Sequence, residues 1–372
     1  MTEKPAILPA PSWRSHQSVL LAVKRITATA AQPVNPVGIS GWDSLVAAHP
    51  GHSFFHSADW AATLSASYGF KPIYFTNRAA DGRFSILPLM EIDSWLTGRR
   101  AIGLPYTDEC EPLAADTASM RDLVEAAMAF GRMRDWKSME WRGGREIFPE
   151  APASMTYRGH SLLLEPEPEK MFARLESSVR RSVRKAEKNG VKVEISQSME
   201  AVKLFYSLQC RTRRKHGLPP QPVIFFRNIF EHILSKNQGM VAIAISNQRP
   251  VAASVYLMMG AQAVYKFGAS DETCQHLRGS NLVMWEAMKW LARRGFTVLN
   301  LGRTSLHNEG LRRFKLSWGA TEAVINYVKY DLRKHAFVTE RDESRGWYNR
   351  VFQMLPTGVS RPVGALLYRH CA

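Results

Sequence analysis

"GMVAIAISNQRPVAASVYLMMGAQAVYKFGAS" occupies residues 239–270 and contains three short apolar runs, "GMVAIAIS", "VAASVYLMM" and "AVYKFGAS". The first two are separated by the turn residues of "NQRP", the last two by Gly260. Short β-rich runs bounded by turn formers read as strands, so this stretch predicts a three-stranded meander. Downstream, the periodicity predicts a helix from Ser280 to Arg294 that Gly295 closes. The strand "FTVLNLGR" (296–303), a short helix carrying "GLRRFKLSWGA" (310–320) and the strand "EAVINYVKYDL" (322–332) follow. Upstream, "HSLLLEP" (160–166) reads as a strand, residues 169–189 as a helix stopped by Gly190, and "VKVEIS" (191–196) as another strand. Helical stretches over roughly 198–214 and 222–236 complete this half.

Strand, helices, three-stranded meander, helix, strand, helix, strand resembles the element order of an acetyltransferase-type (GNAT) domain. The first half has a looser version of the same order. "SVLLAVKRI" (18–26) reads as a strand, "GWDSLVAAHP" as a short helix, and "FFHSADWAATLSASYGF" as a helix with Ser57 as N-cap and Gly69 as its stop. A hairpin around Asp81-Gly82, a Gly/Pro-punctuated loop, the helix "ADTASMRDLVEAAMAFGRMRDW" and the strand "SMEWRGG" follow. The expected fold class is therefore α/β (α+β), as two tandem GNAT-like domains. The expected divisions are a flexible arm over 1–17, an N-terminal domain over 18–157, a C-terminal domain over 158–334 and a basic amphipathic tail over 335–372.

At 372 residues and 45% hydrophobic composition the chain can bury two cores. Its 49 Lys and Arg against 33 Asp and Glu give a formal charge of +16, which suits an anionic partner: nucleic acid, a phosphorylated metabolite or an anionic membrane surface. Cys110, Cys210, Cys274 and Cys371 stand far apart, so neither a zinc site nor a disulfide framework is expected. The first residues lack a signal-peptide core, and "VAASVYLMM" is too short to cross a bilayer. A cytoplasmic protein, peripheral at the inner membrane face if it meets a membrane at all, is the expectation.

"GLRRFKLSWGA" sets Arg312, Arg313 and Lys315 among Leu311, Phe314 and Trp318. On a helix the three apolar residues share a face, and Lys315 emerges about a quarter-turn from its centre. An ammonium at that boundary either snorkels into water or is held where negative charge arrives, with its pKa pulled down by desolvation. Helix 169–189 has an apolar stripe at Phe172, Leu175, Val179, Val183 and Ala186, with Arg and Lys on the other side. That face is either solvated or an anion track. "RTRRKHG" (211–217) ends a helix, where cations suit the dipole, and the rigid "GLPPQP" after it could hold Arg213 and Arg214 at a cleft edge. "YTDE" (106–109) puts Tyr106 and Asp108 in a loop, and Tyr265 stands near the end of a meander strand. "HLRGSN" (276–281) keeps only Gly279 of the phosphate-cradling pattern that opens a helix in acetyltransferases. There is no G-x-S-x-G elbow, H-E-x-x-H or P-loop.

"RRSVRKAEKNGVKVEI", "RTRRKHGLPPQP", "YKFGASDE", "NLVMWEAMKWLARRGFTVLNLGR" and "LRRFKLSWGA" together resemble the FemAB/FemX-like family of double-GNAT transferases, closest to its exopolysaccharide-associated branch. "FFHSADW", "ILPL" and "LPTGVSRPVGALLYRH" extend the likeness across most of the chain. The resemblance implies acyl or aminoacyl transfer to an amine on a cell-envelope precursor of peptidoglycan or exopolysaccharide, nucleotide- or lipid-linked. The donor is either aminoacyl-tRNA or acyl-CoA or an acyl carrier, with no other cofactor and no metal. Carried over, Lys315 is the catalytic cation that stabilises the oxyanion and Phe314 its wall. Arg214 with Arg213 clamps phosphate, Tyr106, Asp108 and Tyr265 line the acceptor pocket, and Arg303 binds substrate. The amine's proton goes to the substrate's own phosphate or to Asp108. Two readings from other classes compete: a non-catalytic nucleic-acid-binding protein, and a membrane-surface scaffold using the tail around Trp347, Tyr348, Phe352 and Leu355.

Overall fold

The meander expected over 239–270 is present as β10 (Gly239–Ser246), β11 (Arg249–Met259) and β12 (Gln262–Ser270), antiparallel in sequence order. These coordinates are a computed structural model, which describes residues 30–143, 147–340, 354 and 357–370. The expected arm, the strand over 18–26 and the tail aromatics Trp347, Tyr348 and Phe352 with Leu355 lie outside the described residues.

The first half contains β1 (Gln32–Val34), α1 (Trp42–Ala47), α2 (Ala58–Tyr68), β2 (Lys71–Pro72), β3 (Tyr74–Arg78), β4 (Phe84–Leu87), β5 (Met90–Ser94), β6 (Gly98–Ile102), α3 (Thr117–Met133) and β7 (Ser138–Arg142). Ser57 caps α2 by accepting from the Trp60 N–H, and Gly69 ends it in the left-handed region, as expected. The Asp81-Gly82 hairpin joins β3 to β4, which with β1 form a small sheet of their own. The expected second hairpin strand is cut at Pro88, whose missing N–H ends β4 and releases β5 to pair with β6 elsewhere. Strands β1 and β6 were not anticipated.

The second half contains β8 (Met155–Leu163), α4 (Pro168–Arg174), α5 (Ser177–Lys188), β9 (Lys192–Ser196), α6 (Met199–Lys215), α7 (Val223–His232), then β10–β12, α8 (Gly279–Arg293), β13 (Val298–Ser305), α9 (Glu309–Ser317), β14 (Thr321–Asp331) and β15 (Ala336–Phe337). The single helix expected over 169–189 is two. Leu175 turns extended, and the Glu176 N–H leaves the helix to donate to Ser317 O at the end of α9. The apolar stripe nevertheless faces inward, with Leu175, Val179, Val183 and Ala186 all buried. The tail helix α10 (Thr357–His370) contains Pro362 within it.

One mixed sheet runs through both halves in the order β2-β5-β6-β7-β14-β8-β13-β12-β11-β10-β9, with β15 on β14. Strand β14, near the end of the second half, sits between β7 of the first and β8 of the second. The expected boundary at 157/158 thus falls inside β8, and the two halves share a hydrogen-bonded seam. Tyr327 of β14, fully buried, opposes Arg142 on one side and Met155 on the other. Its hydroxyl donates to Asp108 O at 2.6 Å and accepts from Arg303 Nη1 at 2.7 Å, tying the first half's loop to β13.

Removing that hydroxyl strands a buried carbonyl and a guanidinium N–H, which costs about 1–3 kcal/mol. Tyr327→Phe is therefore expected to lower the unfolding free energy by that amount, read as a lower urea midpoint at unchanged m-value. An unchanged midpoint would show that the seam does not depend on this hydroxyl.

Candidate active site

Strands β12 and β13 are parallel but pair over only three residues, Gln262–Val264 with Val298–Asn300, and then part. Just beyond the last pair each strand bulges. On β12, Val255 faces Phe267 and Tyr256 faces Tyr265, so Lys266 is the extra residue. On β13, the step from Asn300 to Arg303 spans only Ser161 to Gly159 of β8, and Gly302 takes up the kink at φ +71°. Bulges re-aim side chains and peptides. Here they turn Lys266 and the Gly302 and Arg303 carbonyls toward the gap between the strands.

Lys315 on α9 fills that position. Its Nζ donates to Gly302 O at 2.8 Å and to Arg303 O at 2.9 Å, and its third N–H has no acceptor among the described residues. The residue is only 4% exposed. Burial pushes its pKa down from 10.5 to about 8, against the opposing pull of Asp108. The expected helix face needs correction, because Leu311 is exposed, Phe314 half-buried, and Lys315 and Trp318 are the buried pair. Two peptide carbonyls satisfy the ammonium, so it can lie inside the face instead of at its edge.

Asp108 comes from the loop after β6, where Leu104 and Tyr106 are both left-handed. A Cβ on Gly302 would lie 2.9 Å from its Oδ2, an approach that glycine alone leaves open. Lys266 Nζ is 3.4 Å from Asp108 Oδ2 and donates to Tyr106 O at 2.7 Å. Arg303 Nε is 3.9 Å from Asp108 Oδ1. Burial would raise the Asp108 pKa, but Lys266, Arg303 and Lys315 outweigh it and hold the carboxyl below its usual range. Neighbouring Glu109 behaves oppositely. It has no hydrogen-bond or ion-pair partner among the described residues, and burial together with the Asp108 charge raises its pKa. Both carboxylates line a cavity of about 170 Å³ with His52, Asn300 and Gly302.

A second, separate slot of about 250 Å³ runs past Thr212, Tyr265, Gly268, Ser280 and Phe314. The first residues of α8 open onto it. It shares Thr212 and Ser270 with a groove of about 670 Å³ lined by Arg211, Arg214, Lys215 and Arg249. Arg211 pairs with Asp271 and Lys215 with Glu272, whereas Arg214 and Arg249 have no partner among the described residues.

The structure thus gathers Lys315, Asp108 and Arg303 around one gap, with Phe314 and Tyr265 on the slot beside it and Arg214 in the adjoining groove. Arg213 and Tyr106 lie apart from the gap. Arg213 donates to Pro219 O and to the Tyr368 hydroxyl of α10, and the Tyr106 hydroxyl donates to Tyr368 O. Tyr106 contributes its carbonyl to the site and turns its ring toward the tail. Lys266, Glu109 and Tyr327 were not anticipated. Glu109 and Lys266 stood in quoted motifs, but only the tertiary structure distinguishes the free carboxylate from the paired one. Among the described residues, no cluster of three or more His, Cys, Asp or Glu is placed to hold a metal ion.

Residues 173–319 match the family model described as an acetyltransferase (GNAT) domain. No curated protein matches the chain in sequence. Among solved structures it resembles FemX, with a TM-score of 0.62 at 13% identity over 77% of this chain and 94% of that one. It also resembles a tandem GNAT protein from the clavulanic acid biosynthesis pathway, with a TM-score of 0.53 at 10% identity over 81% and 98%. A third similar structure is L-PGS from Bacillus licheniformis, with a TM-score of 0.51 at 11% identity over 89% and 97%. At these identities the likenesses establish the fold, tandem GNAT units included.

With its folded pKa depressed, Lys315 binds fewer protons in the native state than in the unfolded chain between about pH 8 and pH 10.5. Stability from this group therefore rises with pH across that window. Relative to Lys315→Met, the wild type should gain stability between pH 8 and pH 10.5, read as paired chemical-denaturation midpoints. A difference independent of pH would mean the ammonium is not desolvated.

Proposed function

We propose that this acyltransferase, a GNAT-type protein of FemAB-like fold, moves an acyl or aminoacyl group onto an amino group of a nucleotide- or lipid-linked cell-envelope precursor. The observation that carries the reading is the uncommitted N–H of the buried Lys315 ammonium where two parallel strands part, held by the Gly302 carbonyl, with Gly302 also lining the cavity of the unpaired Glu109. Donor and acceptor then approach through two separate cavities. The acceptor amine enters the cavity of Asp108 and Glu109, and the donor's carbonyl reaches the gap through the slot of Tyr265 and Phe314.

The amine nitrogen attacks the carbonyl carbon, and the oxygen that gains the electron pair accepts the third Lys315 N–H. A positioned cation stabilises that oxyanion more than the neutral carbonyl, and removing such a donor costs about 100- to 1,000-fold in rate. Asp108, occupied by Lys266 and Arg303, is a weak base. Glu109, with its raised pKa and free oxygens, takes the amine's proton. The tetrahedral intermediate collapses by expelling the donor's leaving group. The acetyltransferase match favours a thioester donor, acyl-CoA or an acyl carrier, over aminoacyl-tRNA, and Arg214 and Arg249 in the groove adjoining the slot suit the phosphates such a donor carries.

Purified protein incubated with nucleotide-linked precursors and either acetyl-CoA or aminoacyl-tRNA should add the corresponding mass to an amino group, detected by mass spectrometry. Lys315→Met should lower turnover by about 100- to 1,000-fold, and the wild-type rate should fall as pH rises above about 8, where the ammonium is lost. Undiminished turnover by Lys315→Met would remove the mechanism. Mass added only with aminoacyl-tRNA would reassign the donor.

A further inference from the structure

The tip between β5 and β6 carries an adjacent pair of large, exposed apolar residues. Trp95 is 81% exposed and Leu96 is 55% exposed. Neither is a loose end. Ser94 Oγ accepts from the Leu96 and Thr97 N–H groups, fixing the turn. The same Oγ lies 2.9 Å from His370 Nδ1, and the Trp95 ring stands edge-on to the His370 ring at 5.5 Å. Thr97 Oγ1 and Arg100 Nη2 both donate to His370 O, which caps the last turn of α10 with groups from the hairpin. Hairpin and helix are therefore one rigid unit.

On α10 the exposed apolar residues continue the tip. Val359, Pro362 and Leu366 fall at i, i+3 and i+7, all exposed, and Leu366 lies one turn before His370. Around the tip the unpaired charge is positive. Arg99, Arg100 and Lys137 border it, and the exposed carboxylates near them, Asp93 and Asp135, are already paired, with Arg99 at 2.8 Å and with Arg333 at 3.0 Å. Helix α10 itself contains two arginines and no acid.

We infer that the Trp95–Leu96 tip and the Val359–Leu366 stripe of α10 form a docking surface for an anionic phospholipid bilayer. A protruding Trp-Leu tip is convex and suits insertion among headgroups, where an indole is at home, better than it suits a complementary protein groove. A cationic rim with an amphipathic helix lying alongside is the combination that binds anionic interfaces. No described helix is long and apolar enough to cross a membrane, so the contact is with the surface only. The inference concerns a face distinct from the reacting gap and stands whether or not the donor and acceptor assigned above are correct.

The test is co-sedimentation of the full chain with vesicles of phosphatidylglycerol and phosphatidylcholine, and with phosphatidylcholine alone. Binding is expected to the anionic vesicles only, to weaken at high salt, and to fall at least ten-fold in the Trp95→Ser/Leu96→Ser double variant. Both residues are exposed, so this variant should keep the wild-type unfolding midpoint. Quenching of tryptophan emission by brominated lipid should occur in the wild type and largely vanish in Trp95→Phe. No binding, or binding unaffected by the double variant, would overturn the inference. The second outcome would shift attention to another basic face, such as α5. A concentration-dependent dimer abolished by the double variant would overturn it too, by making a second copy the occupant.

Discussion

A lysine ammonium buried to the degree of Lys315 must be stabilised by something other than water, and what stabilises it is backbone. Two successive carbonyls, Gly302 and Arg303, face it only because β13 carries an extra residue against β8 at that point. The charge is thus held by a register irregularity, and the register is fixed by pairing on both sides of β8. Asp108 adds a third source of stabilisation, admitted to close range because position 302 lacks a Cβ. If the bulge were ironed out, the carbonyls would return to the ladder and the ammonium would have to leave.

The seam between the halves serves the same end. Four cations, Arg142, Lys266, Arg303 and Lys315, meet at the centre with the carboxylates Asp108, Glu109 and Glu140. Burying so many charges is unfavourable unless each is paired or bonded to a peptide. Nearly all are: Arg142 to Glu140 and Thr107 O, Arg303 to Tyr327 and stacked on Tyr157, Lys266 to Tyr106 O and over Phe55. Glu109 and one Lys315 proton stand outside this accounting. They are therefore the groups with capacity left for a substrate.

The meander, the helix over 280–294 and the caps of α2 were legible because each is decided within a few residues, by β-rich runs, turn formers and a Ser or Gly at the right offset. Lys315 was legible in part. Helical periodicity singled it out among Leu311, Phe314 and Trp318, but assumed that an ammonium cannot lie inside a buried face. Two carbonyls thirteen and twelve residues upstream make that possible, and nothing in "GLRRFKLSWGA" encodes them. The break at Leu175 has the same cause, a backbone N–H captured by distant Ser317. The roles of Asp108 and Glu109 could not be separated in "YTDE", since adjacent carboxylates look alike until Lys266 and Arg303 take one of them. Arg213 read as a cleft residue because its partner, Tyr368, lies 155 residues away.

The position of β14 bears on how the chain emerges from the ribosome. Strands β7 and β8 do not pair with each other; each waits for Thr321–Asp331, which is translated long after both. Until then the nascent first half presents an open β7 edge bearing Met139 and Trp141, residues wholly buried in the finished molecule. Vectorial synthesis therefore cannot complete the amino-terminal half on its own. The amino-terminal half must wait with an incomplete sheet until residues 321–331 have been made.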